Sequence, residues 1–278
     1  MRPTDPNSIE IINTGAELGR FREALFDFDG TISVIREGWE RVMVPMMVEM
    51  LAGEEGDPEG SIRREVEQYV DESTGVQTIL QMEWLAEAVA RRRGPAQALT
   101  AYEYKGIYNE RLLEPVRERL GRLERGDLRR EDLMIAGAED FVRALGERGL
   151  TLYLASGTDV EHVRHEAAAL GVDRCFGGGI FGALGSVEAY SKGKVIREIL
   201  DAHHLSGPEL LVVGDGPVEI REGKARGAVT LGVASDEARR RGLNPHKRDR
   251  LIAAGADLLI PDFTAAAGLL ALLLPEAV

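Results

Sequence analysis

From residue 134 onward the chain alternates between two kinds of segment. LTLYLASGT, ELLVVGDG, AVTLGVAS and ADLLIPDF are nearly unbroken runs of Val, Ile, Leu and Ala. Between them lie AEDFVRALGERG, DVEHVRHEAAALG, SKGKVIREILDAHHL, PVEIREGKARG and HKRDRLIAAG, with apolar residues at helical spacing. A strand without polar alternation is covered on both faces, and strands separated by helices run parallel. CFGGGIFGAL adds a short strand or ribbon to this series. One more run of this type, residues 24–28, lies far upstream. The hundred residues between are different. GWERVMVPMMVEMLAG has helical spacing, with Pro45 a kink or boundary. GEEGDPEG reads as a loop, and SIRREVEQYVDES as a short amphipathic helix with Ser61 at its N-cap. TGVQTILQMEWLAEAVARRRG is a longer helix whose arginines and Gly94 suit a C-terminus, and residues 95–126 form one or two more. Upstream, the opening segment to about Gly19, with a strand-like run at 9–12, reads as an extra edge strand or a loose arm. The expected fold is α/β. A Rossmann-like parallel-sheet core, residues 1–34 and 134–278, carries an inserted all-helical segment, 35–133.

The first strand ends in a way that needs explaining. ALFDFDGT places Asp27 and Asp29 two residues apart, on one face of the strand end. Like charges there repel unless a cation, a proton or an anion held by a cation compensates them. The carboxyl edge of an open α/β sheet is where such folds bind ligands, so the other strand ends matter. One offers Ser156, Gly157 and Thr158, a hydroxyl with backbone N–H groups suited to phosphate oxygens. Another offers Asp215, with Glu219 four residues on. Lys192 and Lys194 open a helix, an unfavourable place for cations unless they serve something nearby. Hard oxygen donors with room for water and phosphate favour Mg2+. One aspartate can then attack phosphorus, and the other can exchange a proton with the leaving oxygen. The reaction needs mainly positioning and charge stabilisation.

The order DxDGT, a strand ending in Ser, a lysine and then GDxxxE resembles the haloacid dehalogenase superfamily. The helical segment after the first motif is similar to the C1 cap of its subfamily I, the group that includes phosphoglycolate phosphatases and β-phosphoglucomutases. That resemblance implies a nucleophile at Asp27, an acid/base at Asp29, and phosphate contacts from Gly30, Thr31, Ser156, Gly157 and a lysine. Lys192 is favoured over Lys194, because Lys-Gly-x followed by two aliphatics resembles the phosphoserine phosphatase pattern. It implies magnesium on Asp27, Asp215, the Asp29 backbone carbonyl and Glu219. Glu219 stands where many relatives have aspartate, so its ligation is direct or through water. The implied activity is a phosphatase acting on a small phosphorylated metabolite, a sugar phosphate or phosphoglycolate-like ester. The alternatives are a phosphomutase of the β-phosphoglucomutase type and a non-catalytic binding or regulatory module.

Composition narrows the partners. Of 278 residues 44% are hydrophobic, enough for a sizeable core, and a net charge of −13 argues against coating nucleic acid. Cys175 is the single cysteine, so no internal disulfide forms, which fits a reducing compartment. MRPTDPNSIE lacks a signal-peptide core, and the tail AAAGLLALLLPEAV is too short to span a bilayer. A cytoplasmic protein without a membrane partner is expected. Other patterns carry less. Gly177, Gly179 and Gly182 match GxGxxG by accident, since no helix pattern follows. An EF-hand loop fails, because its glycine position holds Ile32. His162, His165, His203 and His204 have no cysteine or third histidine for zinc and read as surface residues. In the helical insert, Arg36, Gln77, Gln81 and Lys105 are the candidate substrate contacts; Tyr102, Tyr104 and Tyr108 read as core.

Overall fold

The computed structural model describes residues 9–184 and 190–275. Its centre is a seven-stranded sheet in the order β1-β7-β6-β5-β2-β3-β4. The strands are β1 (Glu10–Ile11), β2 (Glu23–Phe26), β3 (Thr151–Asp159), β4 (Gly179–Ala183), β5 (Leu210–Gly214), β6 (Val229–Val233) and β7 (Leu258–Ile260). All pairings are parallel except the edge pair β1–β7. The residues of β2, β5 and β6 are buried throughout, as expected of strands covered on both faces. Neighbours in β2 pack in opposite directions. Phe26 meets the rings of Phe141 and Phe176, each with centroids 6.2 Å away, whereas Leu25 joins Tyr153, Ile196 and Val212.

Five helices follow the strands over the two faces: α5 (Ala138–Glu147), α6 (Val160–Leu170), α7 (Lys192–Ala202), α8 (Pro217–Ala225) and α9 (Pro245–Ala254); α10 (Ala266–Leu273) ends the described chain. The insert contributes α1 (Glu40–Ala52), α2 (Ser61–Glu72), α3 (Thr78–Arg93) and α4 (Ala101–Glu124), and none of the strands. Met43, Met47, Val66, Met82, Leu85, Leu112 and Val116 are buried between these four helices, and Tyr69 stacks on Trp84 at 3.9 Å. The chain enters and leaves the insert side by side. Val34 N–H donates to Leu133 O and Ile135 N–H to Ile32 O, both at 2.9 Å, and Ser33 bridges Met134 antiparallel.

Some local readings change. Pro45 neither ends nor divides α1; it lies inside the helix, where burial of Met43, Met46 and Met47 outweighs one missing backbone bond. Residues 101–124 form one helix that runs through Pro115, opened by a Thr100–Glu103 capping box. The N-cap of α2 is Gly60, not Ser61, and the Asp57 carboxylate accepts from the N–H groups of Ile62 and Arg63 instead. Residues 1–8, part of the suggested arm, lie outside the described residues, as do residues 276–278 of the tail.

Candidate active site

Strand β2 runs straight into a tight loop. Asp27 N–H continues the ladder by donating to Val213 O at 2.8 Å, and the N–H groups of Ile32 and Ser33 both return to Phe28 O at 2.9 Å. Gly30 makes this turn at φ +80°, and a Cβ there would lie 2.4 Å from Asp215 Oδ2. The loop can therefore press a backbone against a carboxylate only because residue 30 has no side chain.

Four strand ends then converge on one buried cluster. Lys192 Nζ donates to Asp27 Oδ1 at 2.5 Å and to Glu219 Oε2 at 2.8 Å. Glu219 uses its other oxygen to accept from Gly216 N–H at 2.6 Å. Asp215 Oδ2 accepts from Lys247 at 2.6 Å, and the same ammonium holds Glu237 at 2.6 Å. The Thr31 hydroxyl lies 3.4 Å from Asp27 Oδ2 and 3.2 Å from Asp215 Oδ1. On the other side of the loop, Asp29 Oδ2 accepts from the hydroxyls of Ser156 at 2.9 Å and Thr158 at 3.1 Å. Asp29 Oδ1 is buried without a hydrogen-bond partner, 3.9 Å from Arg36 Nε.

The electrostatics follow from burial. Burial pushes the Asp27 carboxyl well above its usual range; Lys192 pulls it back, and Glu219 and Asp215 push it up again. Burial alone would lower Lys192, but Asp27 and Glu219 outweigh it and keep the ammonium charged. Asp215 is also buried, yet the charge and hydrogen bond of Lys247 hold it below the ordinary carboxylate value. Asp27, Asp215 and Glu219 offer carboxylate oxygens within 4.8 Å of one another. An all-oxygen donor set of this kind suits a hard divalent cation. Asp27 Oδ2 and Asp215 Oδ1, which share only the Thr31 hydroxyl, are the better donors. Both Glu219 oxygens already have partners.

A profile of haloacid dehalogenase-like hydrolases matches residues 23–227. This chain belongs to that family. Solved structures of similar fold include a phosphoglycolate phosphatase predicted for Haemophilus somnus 129pt. It is 17% identical, with a TM-score of 0.57 over 91% of this chain and 99% of that one. A haloacid dehalogenase-like hydrolase of Streptococcus pneumoniae is 16% identical, with a TM-score of 0.56 over 91% and 98%. A β-phosphoglucomutase of Clostridium difficile is 12% identical, with a TM-score of 0.55 over 88% and 92%. A search of curated proteins gives no match. Among the described residues of this haloacid dehalogenase-like hydrolase, no helix is long and apolar enough to cross a membrane.

The cluster opens into a cavity of about 90 Å³ between the sheet edge and the insert. Asp27, Asp29, Ser156, Gly157, Lys192 and Asp215 line it; Gly30, Thr31 and Glu219 stand behind them. Lys192, rather than Lys194, is the lysine on Asp27. Ser156 does not cap α6, whose N-cap is Asp159; its oxygen accepts from Thr158 N–H and its proton goes to Asp29.

The insert candidates fare unequally. Arg36 reaches the cavity, but its guanidinium is spent on the buried Glu166 carboxylate, with Nη2 at 2.6 Å. Lys105 also lines it and pairs with Asp159 at 2.5 Å. Gln81 lines it while donating to Ser73. Gln77 does not line it; its amide donates to Tyr190 O at 2.7 Å and ties the insert to the start of α7. His162, taken for a surface residue, lines the cavity as well. Tyr104 and Tyr108 are core, whereas Tyr102 is 59% exposed. Sequence reasoning missed Lys247 and Arg250. Their spacing of three on α9 puts them on one helix face, the one available signal. Arg250 reaches back to Asp71 at 2.8 Å and to Thr74 at 3.1 Å.

Proposed function

We propose that this hydrolase is a magnesium-dependent phosphatase of small phosphorylated metabolites that works through an aspartyl phosphate on Asp27. One observation carries the reading. Asp27, gripped by Lys192, and Asp29, with one oxygen unpartnered, face the same small cavity. An Asp27 oxygen attacks phosphorus, and the ester P–O bond breaks. Asp29 gives its proton to the departing alkoxide. Asp29 then takes a proton from water, the water oxygen attacks the phosphoryl group, and Asp27 leaves as carboxylate with release of phosphate. Ser156, Thr158 and the Gly157 N–H border the place where phosphoryl oxygens collect, and Lys192 offsets charge on the nucleophile's side. Magnesium, held by Asp27, Asp215, the Asp29 carbonyl and Glu219 directly or through water, would neutralise charge on the phosphoryl oxygens.

Residues 35–133 act on this reading as a cap, closing over residues 1–34 and 134–278 about a hinge at Ser33 and Gly137. The paired crossings beside Ser33 and Met134 support it. Closure excludes bulk water during the first step. The lone cysteine and acidic balance suit a cytoplasmic enzyme.

The test is phosphate release from a panel of phosphomonoesters, sugar phosphates and phosphoglycolate among them, with magnesium and with chelator. Turnover that needs magnesium and disappears in a folded Asp27→Asn variant supports the reading. No hydrolysis of any ester refutes it. Isomerised phosphosugar without free phosphate would instead mark a mutase.

A further inference from the structure

The charged side chains of the cavity wall are mostly paired with one another. Each cation lining it is already committed to carboxylates. Lys192 has Asp27 and Glu219; Lys247 has Asp215 and Glu237. Arg36 has Glu166, Lys105 has Asp159 and Arg250 has Asp71. Burial, with the nearby Arg36 guanidinium, holds His162 below its ordinary value, so it is neutral near pH 7. The lining holds six carboxylates against five Lys and Arg side chains. Glu219 and Asp71 add carboxylates just behind, while burial raises Glu40 and pushes Glu237 up to about 7. A divalent cation and a phosphoryl dianion cancel each other, so bound metal and substrate leave no cation free for a second anion.

One lining carboxylate has no cation of its own. Glu40, at the first position of α1, accepts from its own backbone N–H. Among the described residues no Lys or Arg lies within ion-pair distance of it, the two nearby cations being held elsewhere. The same lining includes the rings of Trp39 and Tyr108 and the neutral polar groups of Thr78 and Asn109. Aromatic rings present an apolar face with a polar tip. A carboxylate with a free oxygen is an acceptor for hydroxyl protons.

We infer that the leaving group carries no second anion and presents hydroxyls, as the monophosphate of a polyol or small sugar does, with Glu40 as the side chain that reads them. This rests on the phosphatase reading above. A second anion, a carboxylate or another phosphate, would face Glu40 with no cation released to meet it; the wall rejects by charge what it does not bind.

The experiment uses pairs matched in size. Glycerol 3-phosphate and 3-phosphoglycerate differ by a hydroxymethyl group against a carboxylate. 2-Hydroxyethyl phosphate and phosphoethanolamine differ by a hydroxyl against an ammonium. p-Nitrophenyl phosphate serves as the general ester. The wild-type enzyme is expected to favour glycerol 3-phosphate over 3-phosphoglycerate by about tenfold or more in kcat/KM. Glu40→Lys is expected to shrink that ratio by about tenfold, a readout that partial unfolding leaves unchanged because it scales both rates. Equal or better use of 3-phosphoglycerate overturns the inference, and so does a preference for phosphoethanolamine over 2-hydroxyethyl phosphate. If p-nitrophenyl phosphate is cleaved in either case, the phosphatase reading survives alone. If no ester is cleaved, both fall.

Discussion

Lys192 holds two members of the acidic cluster at once. Its ammonium sits between two buried carboxylates, 2.5 Å from Asp27 and 2.8 Å from Glu219. Removing it leaves both without a cation, and breaking a buried pair costs on the order of 3 kcal/mol. Lys192→Met should therefore melt well below wild type in chelator. Magnesium should restore more of the loss than it adds to wild type, because a cation then replaces the missing charge. Thermal denaturation of both proteins, with and without magnesium, checks this; a variant as stable as wild type in chelator would show that the carboxylates are not both ionised. A second residue sets a pH dependence. Burial pushes Glu166 from an ordinary 4.5 up to about 7, against the pull of Arg36. The folded state thus holds that proton more tightly than the unfolded chain. The stability tied to it is full below about 4.5 and is lost as pH rises through 7, at most about 3 kcal/mol for a shift of this size. Glu166→Gln should lack this decline, so its stability relative to wild type should improve between pH 4.5 and 7. Urea midpoints across that range measure it; parallel curves would refute the assignment.

At the scale of elements, the β2 loop is the tightest piece of the molecule. Gly30→Ala would place a methyl 2.4 Å from Asp215 Oδ2 at a φ of +80°, and the carboxylate is held by Lys247 and cannot swing aside freely. The left-handed backbone alone costs about 1–2 kcal/mol. We expect a loss of at least about 2 kcal/mol and a weaker response to magnesium in melting experiments. A stable Gly30→Ala protein with unchanged response would show that the loop relaxes. The sheet was legible in advance for a physical reason. Runs such as LLVV and LTLYLA have no polar alternation, and that pattern suits only a strand with both faces covered. Which of kink and boundary Pro45 makes was not legible, because that depends on the three methionines that α1 buries around it. Asp27, Asp29, Ser156, Lys192 and Asp215 were legible as a group because each lies in or near the end of an element at one sheet edge. Lys247 and Glu166 were not. Each acts from within a helix, by a contact with a residue more than thirty or a hundred positions away, and no local spacing announces it.

For the whole molecule, the insert and the sheet meet through a few polar ties. Arg250 binds Asp71 and Thr74, Lys105 binds Asp159, and Gln77 donates to Tyr190 O. On the closure proposed above, each of these ties favours the closed arrangement without touching the Asp27–Lys192 pair. Arg250→Ala should raise KM several-fold and change kcat less, since it loosens closure while leaving the Asp27–Lys192 pair in place. Steady-state kinetics on any ester the enzyme hydrolyses tests this; a fall in kcat at constant KM would place Arg250 in the chemical step. Backbone hydrogen exchange in α2 and α3 should also quicken in the variant.

The side-by-side crossings have a consequence for how such a protein can change. Val34 and Leu133 are hydrogen-bonded neighbours, as are Ile32 and Ile135. Everything between them hangs from one point on the sheet's rim. A turn of two or three residues would span that gap, and so would another helical segment of different length. Lengthening, shortening or exchanging it leaves the strand order and every sheet hydrogen bond where they were. Glu40, Lys105 and the aromatic wall belong to the exchangeable piece, while Asp27, Lys192 and Asp215 belong to the frame. A graft at this junction would transplant a substrate preference as a unit, onto chemistry that stays behind.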